Sequence, residues 1–448
     1  MLVVANDKKP KVGKPHTYKK LIKRRLKNKK TQFKRNEKYE MAKTILLNVK
    51  KQGNNHSSTA IVNIDHISSY ASVAMWSFLK SRLEKHFPNI SINSDNNNNN
   101  NDIVQDQDLV KFFNQISIVD VKEEEVKKAT DAYIFDKFET RIESTFLVLL
   151  YIMIDTERRK EIEKNAPSLY KYITKSPLNN KNIVGIDFNN NNHNNNNNIF
   201  NKSKLNIASI GGACGNDLIG AILFIASFIE NIQCINAISY DFSTSWNTSI
   251  TLLDEIFENN NNNNTFVETI KNIKTLHENC KQTTIICQQK IGMTNNDDND
   301  NDMNKKIKIN MEYRRCDLKR NVSDKINEDL LNHVNNVDLF IFSYVVFETN
   351  ACQFELLPEI IKRATSNSLF IFLDPHQKTL NAIIALLGRL EEEEKEKGDN
   401  NNIEELHGGE DNDEEESSSK ISNNSLYEII KCQSSSFYRF NGMIVCKK

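Results

Sequence analysis

The sequence predicts an α/β protein with a doubly wound, mostly parallel sheet of seven strands, an antiparallel C-terminal hairpin and a preceding α-helical N-terminal domain. Three observations predict it. After residue 204, short apolar runs alternate with helical segments, the pattern of a parallel sheet. Earlier, apolar residues recur at helical spacing. Two short apolar runs near the end can pair as a hairpin.

Composition excludes several classes of protein. A chain of 448 residues, 38% hydrophobic and 26% charged, can bury the cores of two or three globular domains. The eight cysteines form no CxxC pair, which favours reduced thiols over a zinc ribbon or secreted disulfide scaffold. The longest apolar runs, 146–154 and 218–229, are shorter than the roughly 20 residues that span a bilayer. We therefore expect no metal site and no transmembrane helix.

Opposite charges concentrate at the two ends of the chain. Lys8 to Arg35 contains 14 Lys or Arg and no acid, whereas Glu391 to Glu416 contains 14 acids. We interpret residues 1–40 as a disordered basic arm that binds RNA or acts as a nuclear import signal; a merely solvated tail stays open. This predicts a nuclear or nucleolar location, otherwise a cytoplasmic one.

Apolar residues recur at helical spacing between the basic arm and the Asn-rich linker. Residues 69–87 and 129–158 each place apolar side chains on one face, so 41–180 is predicted to be a helical domain. An Asn-rich linker follows at 181–204. Low-complexity segments cannot offset the entropy of chain ordering, so disordered insertions are expected near 259–264, 295–304 and 391–420 of a C-terminal domain, 205–448.

Five strands are predicted in the C-terminal domain, followed by the hairpin. The first is short, apolar and ends in glycines, the second ends at Asp241, and the fifth ends at Asp374. In order, the predicted strands are 205–210, 235–240, 307–314, 337–342 and 368–373, with hairpin strands 427–432 and 442–447.

The most informative segment is the glycine-rich turn between the first strand and the next helix, Ser209 to Asp217. Such a turn lets the backbone approach a ligand closely and directs amide donors toward it. From Gly211, a G-x-G-x-x-G motif would need glycines where Ala213 and Asn216 stand, and no Gly-Lys-Ser/Thr follows. The turn therefore disfavours both a dinucleotide loop and a P-loop.

The turn resembles motif I of class I, Rossmann-like S-adenosylmethionine-dependent methyltransferases, which reads acidic-x-Gly-x-Gly-x-Gly. Gly211 and Gly215 match it, whereas Ser209 replaces the acid and Ala213 the middle glycine. Further landmarks follow in order at the ends of the later strands: Asp241, Asp317 and the pair Ser343 and Tyr344. The resemblance covers about residues 204–448.

The resemblance implies S-adenosylmethionine as cofactor. Asp241 would accept from the ribose hydroxyls, Asp317 from the adenine amine, and Asp217 would reach the amino group of the methionine part or cap the helix. Trp246 would cover the adenosine or pack in the core. The implied cofactor-binding residues are Ser209, Gly211, Gly212, Ala213, Gly215, Asp217, Asp241, Asp317 and Ser343.

No residue is marked clearly as catalytic. Tyr344 and His376 are the two candidates, and His376 could act as a general base because imidazole titrates near neutral pH. Residues 343–348 lack the Asp/Asn-Pro-Pro-aromatic motif of methyltransferases that act on exocyclic amines of bases, and carbon-5 methylation through paired cysteines is unsupported.

We therefore expect a methyltransferase. The basic arm makes RNA, in particular ribosomal RNA, the first candidate for the methyl acceptor, and a protein or a small molecule is the next candidate. The replacement of the motif acid by Ser209 leaves an alternative, a non-catalytic RNA-associated protein that retains the fold. An NAD-dependent oxidoreductase is a third interpretation.

Overall fold

The computed structural model describes residues 16–52, 62–86, 123–154, 162, 164, 166, 203–229, 232–258, 264–286, 307–403, 425–433 and 441–448. Three helices precede the sheet: α1 (His16–Gln52), α2 (Ile64–His86) and α3 (Glu123–Ile154). The later helices are α4 (Asn216–Phe228), α5 (Trp246–Glu258), α6 (Asn264–Ile286), α7 (Lys325–His333), α8 (Val345–Thr349), α9 (Leu356–Arg363) and α10 (Gln377–Ile403).

The seven strands form one sheet in the order β3-β2-β1-β4-β5-β7-β6. β1 to β5 are parallel, and β7 lies antiparallel to both β5 and β6. This order confirms the predicted doubly wound sheet with its C-terminal hairpin. The strands are β1 (Lys204–Ile210), β2 (Cys234–Asp241), β3 (Lys308–Arg315), β4 (Leu339–Ser343), β5 (Leu369–Asp374), β6 (Tyr427–Gln433) and β7 (Asn441–Lys447).

Helices cover both faces of the sheet, and alternate strand residues enter two separate cores. Ile341 of β4 points to the core that contains residues of α1 to α6. Its neighbours Phe340 and Phe342 point to the core beneath α7 to α10. There they stack on Phe370 and Phe372 of β5, each pair with ring centroids 4.9 Å apart.

The N-terminal helices belong to the first of these cores. Side chains of α1, α2 and α3 form one continuous cluster with those of α4, α5 and α6 and of the strands. Gly220 of α4 lies so close to α3 that a β-carbon there would be 2.6 Å from the carbonyl oxygen of Ile142. The domain boundaries themselves stay predictions.

A buried ion cluster attaches α1 to α3. Arg35 is 2% exposed; its Nε donates to Glu143 at 2.7 Å, and its Nη1 lies 3.1 Å from Glu139. Ser69 of α2 donates to the other oxygen of Glu143 at 3.0 Å. The basic segment is helical from His16 onward rather than disordered as expected, and its last cation, Arg35, is an internal partner of two acids.

The acidic segment also differs from the expectation. Helix α10 continues to Ile403, so its last turns include the first residues of the predicted insertion 391–420. Leu386, Leu387 and Leu390 hold this helix against the second core. Three asparagine tracts, 96–101, 189–198 and 295–304, lie outside the described residues, as do residues 259–263 of the tract 259–264.

The described residues contain neither a membrane span nor a metal-binding cluster. No helix among them is long and apolar enough to cross a membrane. They contain no group of three or more His, Cys, Asp or Glu arranged to hold a metal ion.

Candidate functional site

The candidate site lies where the strand order reverses. From β1 the chain moves outward through β2 and β3, and then returns to add β4 on the other side of β1. In open α/β sheets, ligands bind in the crevice at the carboxyl ends of the strands at this switch point. The glycine turn follows β1, and Ser343 ends β4, so the predicted residues flank this crevice.

The turn after β1 has the backbone geometry that its glycines allow. Gly211 and Gly215 have φ values of 67° and 82°, and Ala213 between them has φ 45°. A β-carbon at Gly212 would lie 2.6 Å from the hydroxyl oxygen of Ser209. The alanine that replaces the middle glycine therefore adopts a left-handed conformation in which a side chain is strained.

Asp241, at the end of β2, holds this turn in place. Its Oδ2 accepts from the amide of Ala213 at 3.2 Å, and its Oδ1 accepts from the amide of Ser243 at 3.1 Å. Burial raises the pKa of Asp241 to about 6. Trp246, whose indole also bonds this carboxylate, is 2% exposed and packs in the first core. Of the two interpretations of Trp246, the structure shows core packing.

Asp217, in the first turn of α4, is completely buried. Its Oδ1 has no hydrogen-bond partner, and its Oδ2 accepts from the Ser209 hydroxyl over 3.5 Å. Burial raises the pKa of Asp217 to about 6, although the charge of Arg141 opposes this shift. The helix cap is Gly215, without a side-chain bond, so of the two roles expected for Asp217 the structure does not show capping.

An arginine from the N-terminal helices completes this part of the site. Arg141 of α3 donates to the carbonyl oxygen of Ser343 at 2.6 Å and stands over the ring of Tyr344 with its Cζ 4.5 Å from the centroid. Its guanidinium lies 3.9 Å from Asp217 and 3.8 Å from Glu348. Sequence reasoning missed Arg141. The sequence feature that could have indicated it is three charged residues at alternate positions, 139, 141 and 143, within an otherwise apolar part of the predicted helix.

Asp317 follows β3, the edge strand next to β2. It is 9% exposed, its Oδ1 accepts from the amide of Lys319 at 2.9 Å, and Arg320 approaches its Oδ2 at 3.6 Å. The adjacent Cys316 and Leu318 are buried. The amide of Cys316 donates to the carbonyl of Asp241 at 3.0 Å, which places the loops after β2 and β3 side by side.

The two catalytic candidates lie beyond β4 and β5. Tyr344 has φ 64°, and its amide donates to the carbonyl of Leu373 at 2.7 Å. His376 is exposed, with its ring centroid 4.4 Å from that of Phe347. The structure thus brings Tyr344 to Arg141 and Asp217, and places His376 at the outer rim.

Comparisons with known proteins add distant likenesses. No family model matches this chain, and no curated protein matches it. A precorrin-6y C5,15-methyltransferase from Geobacter metallireducens GS-15 aligns over 56% of this chain and 83% of its own, with 9% identity and a TM-score of 0.23. Human N-acetylserotonin methyltransferase, solved in complex with SAM, aligns over 85% of this chain and 71% of its own, with 8% identity and a TM-score of 0.23.

The fold is the one that the resemblance implied, a Rossmann-like sheet with an antiparallel seventh strand. This assignment rests on the chain's own strand order and on the glycine turn at its switch point.

Proposed function

We propose that this chain binds S-adenosylmethionine and transfers its methyl group. One observation carries the proposal: beside the glycine turn, a buried carboxylate oxygen of Asp217 has no partner, and the Arg141 guanidinium lies 3.9 Å from the other oxygen. An unpaired buried acceptor is costly unless a ligand supplies a donor. The strand order places this pair at the ligand crevice of the sheet.

The residues present fit the amino-acid end of this cofactor. Asp217 would accept from its α-ammonium group, and Arg141 would pair with its α-carboxylate. The backbone of residues 211–215 would lie along the same part of the molecule. Asp241 ends β2 and Asp317 lies in the loop after β3, where a ribose and an adenine would follow. The bound cofactor would supply an electrophilic methyl group on a sulfonium.

The chain's contribution to transfer would be chiefly positional. Methyl transfer is an in-line displacement, so the acceptor atom must be held against the methyl group. Tyr344 lies under the Arg141 guanidinium and is held to β5 through its amide, so its ring would form one wall of the site. Water exclusion follows from the burial of Asp217 and Ser343.

A second candidate, a non-catalytic protein that retains the fold, has one observation in its favour. Both carboxylate oxygens of Asp241 already accept from backbone amides, so this carboxylate has a structural task in the turn, and ribose hydroxyls would share its oxygens with those amides. RNA contact and nuclear import through 8–35 stay predictions. Of that segment the structure describes the helix from His16 and the side chains from Lys30.

Calorimetric titration of the full chain with S-adenosylhomocysteine tests the proposal without knowledge of the acceptor. Micromolar binding is expected, and Asp217→Asn should weaken it about tenfold or more, because a charge-assisted bond is lost. Asp254→Asn is the matched control, since the amide keeps the oxygen that accepts from Met311. Absence of binding in a folded chain would reject the proposal, whereas binding without turnover on any acceptor would favour the second candidate.

A further inference from the structure

A second pair of acids lies beside the residues assigned to the cofactor. Asp374 ends β5 and is 1% exposed; its Oδ1 accepts from the amide of His376 at 2.8 Å. The Thr379 side chain and the backbone of Phe347 also act on this carboxylate, but its Oδ2 has no partner within hydrogen-bond distance. Glu348 of α8 has a side chain 36% exposed, and its cationic neighbour Arg141 is 3.8 Å away. Neither carboxylate is used in the cofactor assignment, and both have acceptor capacity left.

The acids and the assigned site are close enough to influence one another. The Arg141 guanidinium lies 3.9 Å from Asp217 and 3.8 Å from Glu348, and the amide of Tyr344 donates to the carbonyl of Leu373, the residue before Asp374, at 2.7 Å. Arg141 and Lys137 are the cations that act on Glu348. Two of the three carboxylates thus lie within 4 Å of Arg141, and the third, Asp374, ends the strand next to β4.

An exposed aromatic pair forms the rim above these acids. Phe347 is 45% exposed, directly precedes Glu348, and is in ring contact with His376, two residues after Asp374. Aromatic faces attract cations. Phosphate groups would be repelled by the acids. The rim and the acids together suit a ligand that is positively charged and rich in N–H donors.

We propose that the methyl acceptor is an aliphatic amine held between Glu348 and Asp374 beneath Phe347 and His376; this rests on the proposed function. A neutral primary amine has two N–H groups and one lone pair. One N–H donates to the Oδ2 of Asp374 and one to Glu348, which leaves the lone pair directed at the methyl group. A hydroxyl has a single hydrogen and cannot satisfy both carboxylates.

Protons and electrons balance in this methyl transfer without any group beyond the amine, the cofactor and Glu348. The amine arrives as an ammonium ion and gives one proton to Glu348, whose partial exposure allows exchange with solvent. Its nitrogen then forms a bond to the methyl carbon, and the bond from that carbon to sulfur breaks with its electron pair left on sulfur. The methylated nitrogen releases its extra proton to Glu348, so no further reactant is needed.

The test presents the full chain and S-adenosylmethionine with three acceptors: spermidine, a lysine-containing peptide and transcribed RNA. S-adenosylhomocysteine release and the mass of the acceptor are measured. Methylation of spermidine or of the peptide is expected and distinguishes a free amine from a protein-borne one. Glu348→Gln should lower kcat/KM for that amine about a hundredfold, while Glu355→Gln, the same change at an exposed position of the following segment, should not.

A second readout does not depend on turnover. Calorimetry of the amine against the S-adenosylhomocysteine complex should show binding that Glu348→Gln weakens about tenfold, in a variant that still binds S-adenosylhomocysteine. Retained S-adenosylhomocysteine binding with methylation of RNA alone, or with no amine bound, would overturn the amine site and leave the proposed function intact. Failure to bind S-adenosylhomocysteine would overturn both.

Discussion

A single buried carboxylate, Asp217, connects the stability of this protein to its proposed function. Burial raises its pKa from 3.8 to about 6, so the folded state binds this proton more tightly than the unfolded state does. Ionisation therefore destabilises the fold above about pH 6, and this cost diminishes as the pH falls toward 4. The site retains a destabilising charge where a ligand cation would offset it.

We predict that Asp217→Asn raises the free energy of unfolding at pH 8 by up to about 3 kcal/mol, from a shift of roughly two pKa units. The advantage should shrink as the pH is lowered from 8 to 5, because the parent carboxylate becomes protonated. Urea unfolding of both proteins across this range measures the difference. An advantage that stays constant with pH, or that Asp254→Asn reproduces, would contradict the assigned pKa.

At this scale the sequence predicts residues that have a local motif and misses those that lack one. Gly211 and Gly215 follow a strand and must adopt positive φ, so the turn was recognisable. Arg141 lies some 70 residues earlier, and nothing in its surroundings indicates which strand end it meets. Asp374 is similar, since its importance depends on a missing partner that only the packed structure shows.

At the scale of elements, α3 joins the two halves of the molecule. Glu143 and Glu139 pair with Arg35 of α1, while Arg141 on the same helix enters the crevice. Between them, Ile142 faces Gly220 of α4. The position of Arg141 in the site is therefore set by how closely α3 and α4 pack.

We predict that Gly220→Ala destabilises the fold by about 1–3 kcal/mol, because its β-carbon would lie 2.6 Å from the Ile142 carbonyl oxygen and overpacking costs energy of this size. Gly388→Ala in α10 is the matched control: a β-carbon there meets nothing within 4 Å. It should stabilise by up to about 1 kcal/mol through helix propensity. Thermal unfolding distinguishes the two, and a neutral Gly220→Ala would mean that the helices separate readily.

The ends of the parallel strands were predictable to within two residues, because each strand is a short apolar run that is followed by a polar residue or glycine. The partners of the N-terminal helices were not. Their apolar faces indicate that these helices pack, but not against which elements. For example, α2 contacts α6, where Asn272 donates to the Tyr70 hydroxyl at 2.7 Å across 202 positions of sequence. Local periodicity contains no information on such pairing.

At the scale of the whole molecule, the N-terminal helices and the sheet share one apolar core. Every residue of α4 from Asn216 to Phe228 is buried, which an all-round apolar helix requires. Much of that cover comes from α3, where Phe146 contacts Phe224 and Phe228 with centroids 6.2 and 6.4 Å apart. The core around the sheet is therefore incomplete without the helices that precede it.

We predict that the full chain unfolds in one cooperative transition and that a fragment of residues 200–448 does not fold alone, since removal of α1 to α3 would expose the apolar faces of α4 and α6 to water. Calorimetry tests the first statement through equality of the calorimetric and van't Hoff enthalpies. Size-exclusion chromatography and near-UV circular dichroism test the second, with the full chain as control. A monomeric fragment that unfolds cooperatively and binds S-adenosylhomocysteine would contradict both the shared core and the need for Arg141, and would instead establish 205–448 as an autonomous domain.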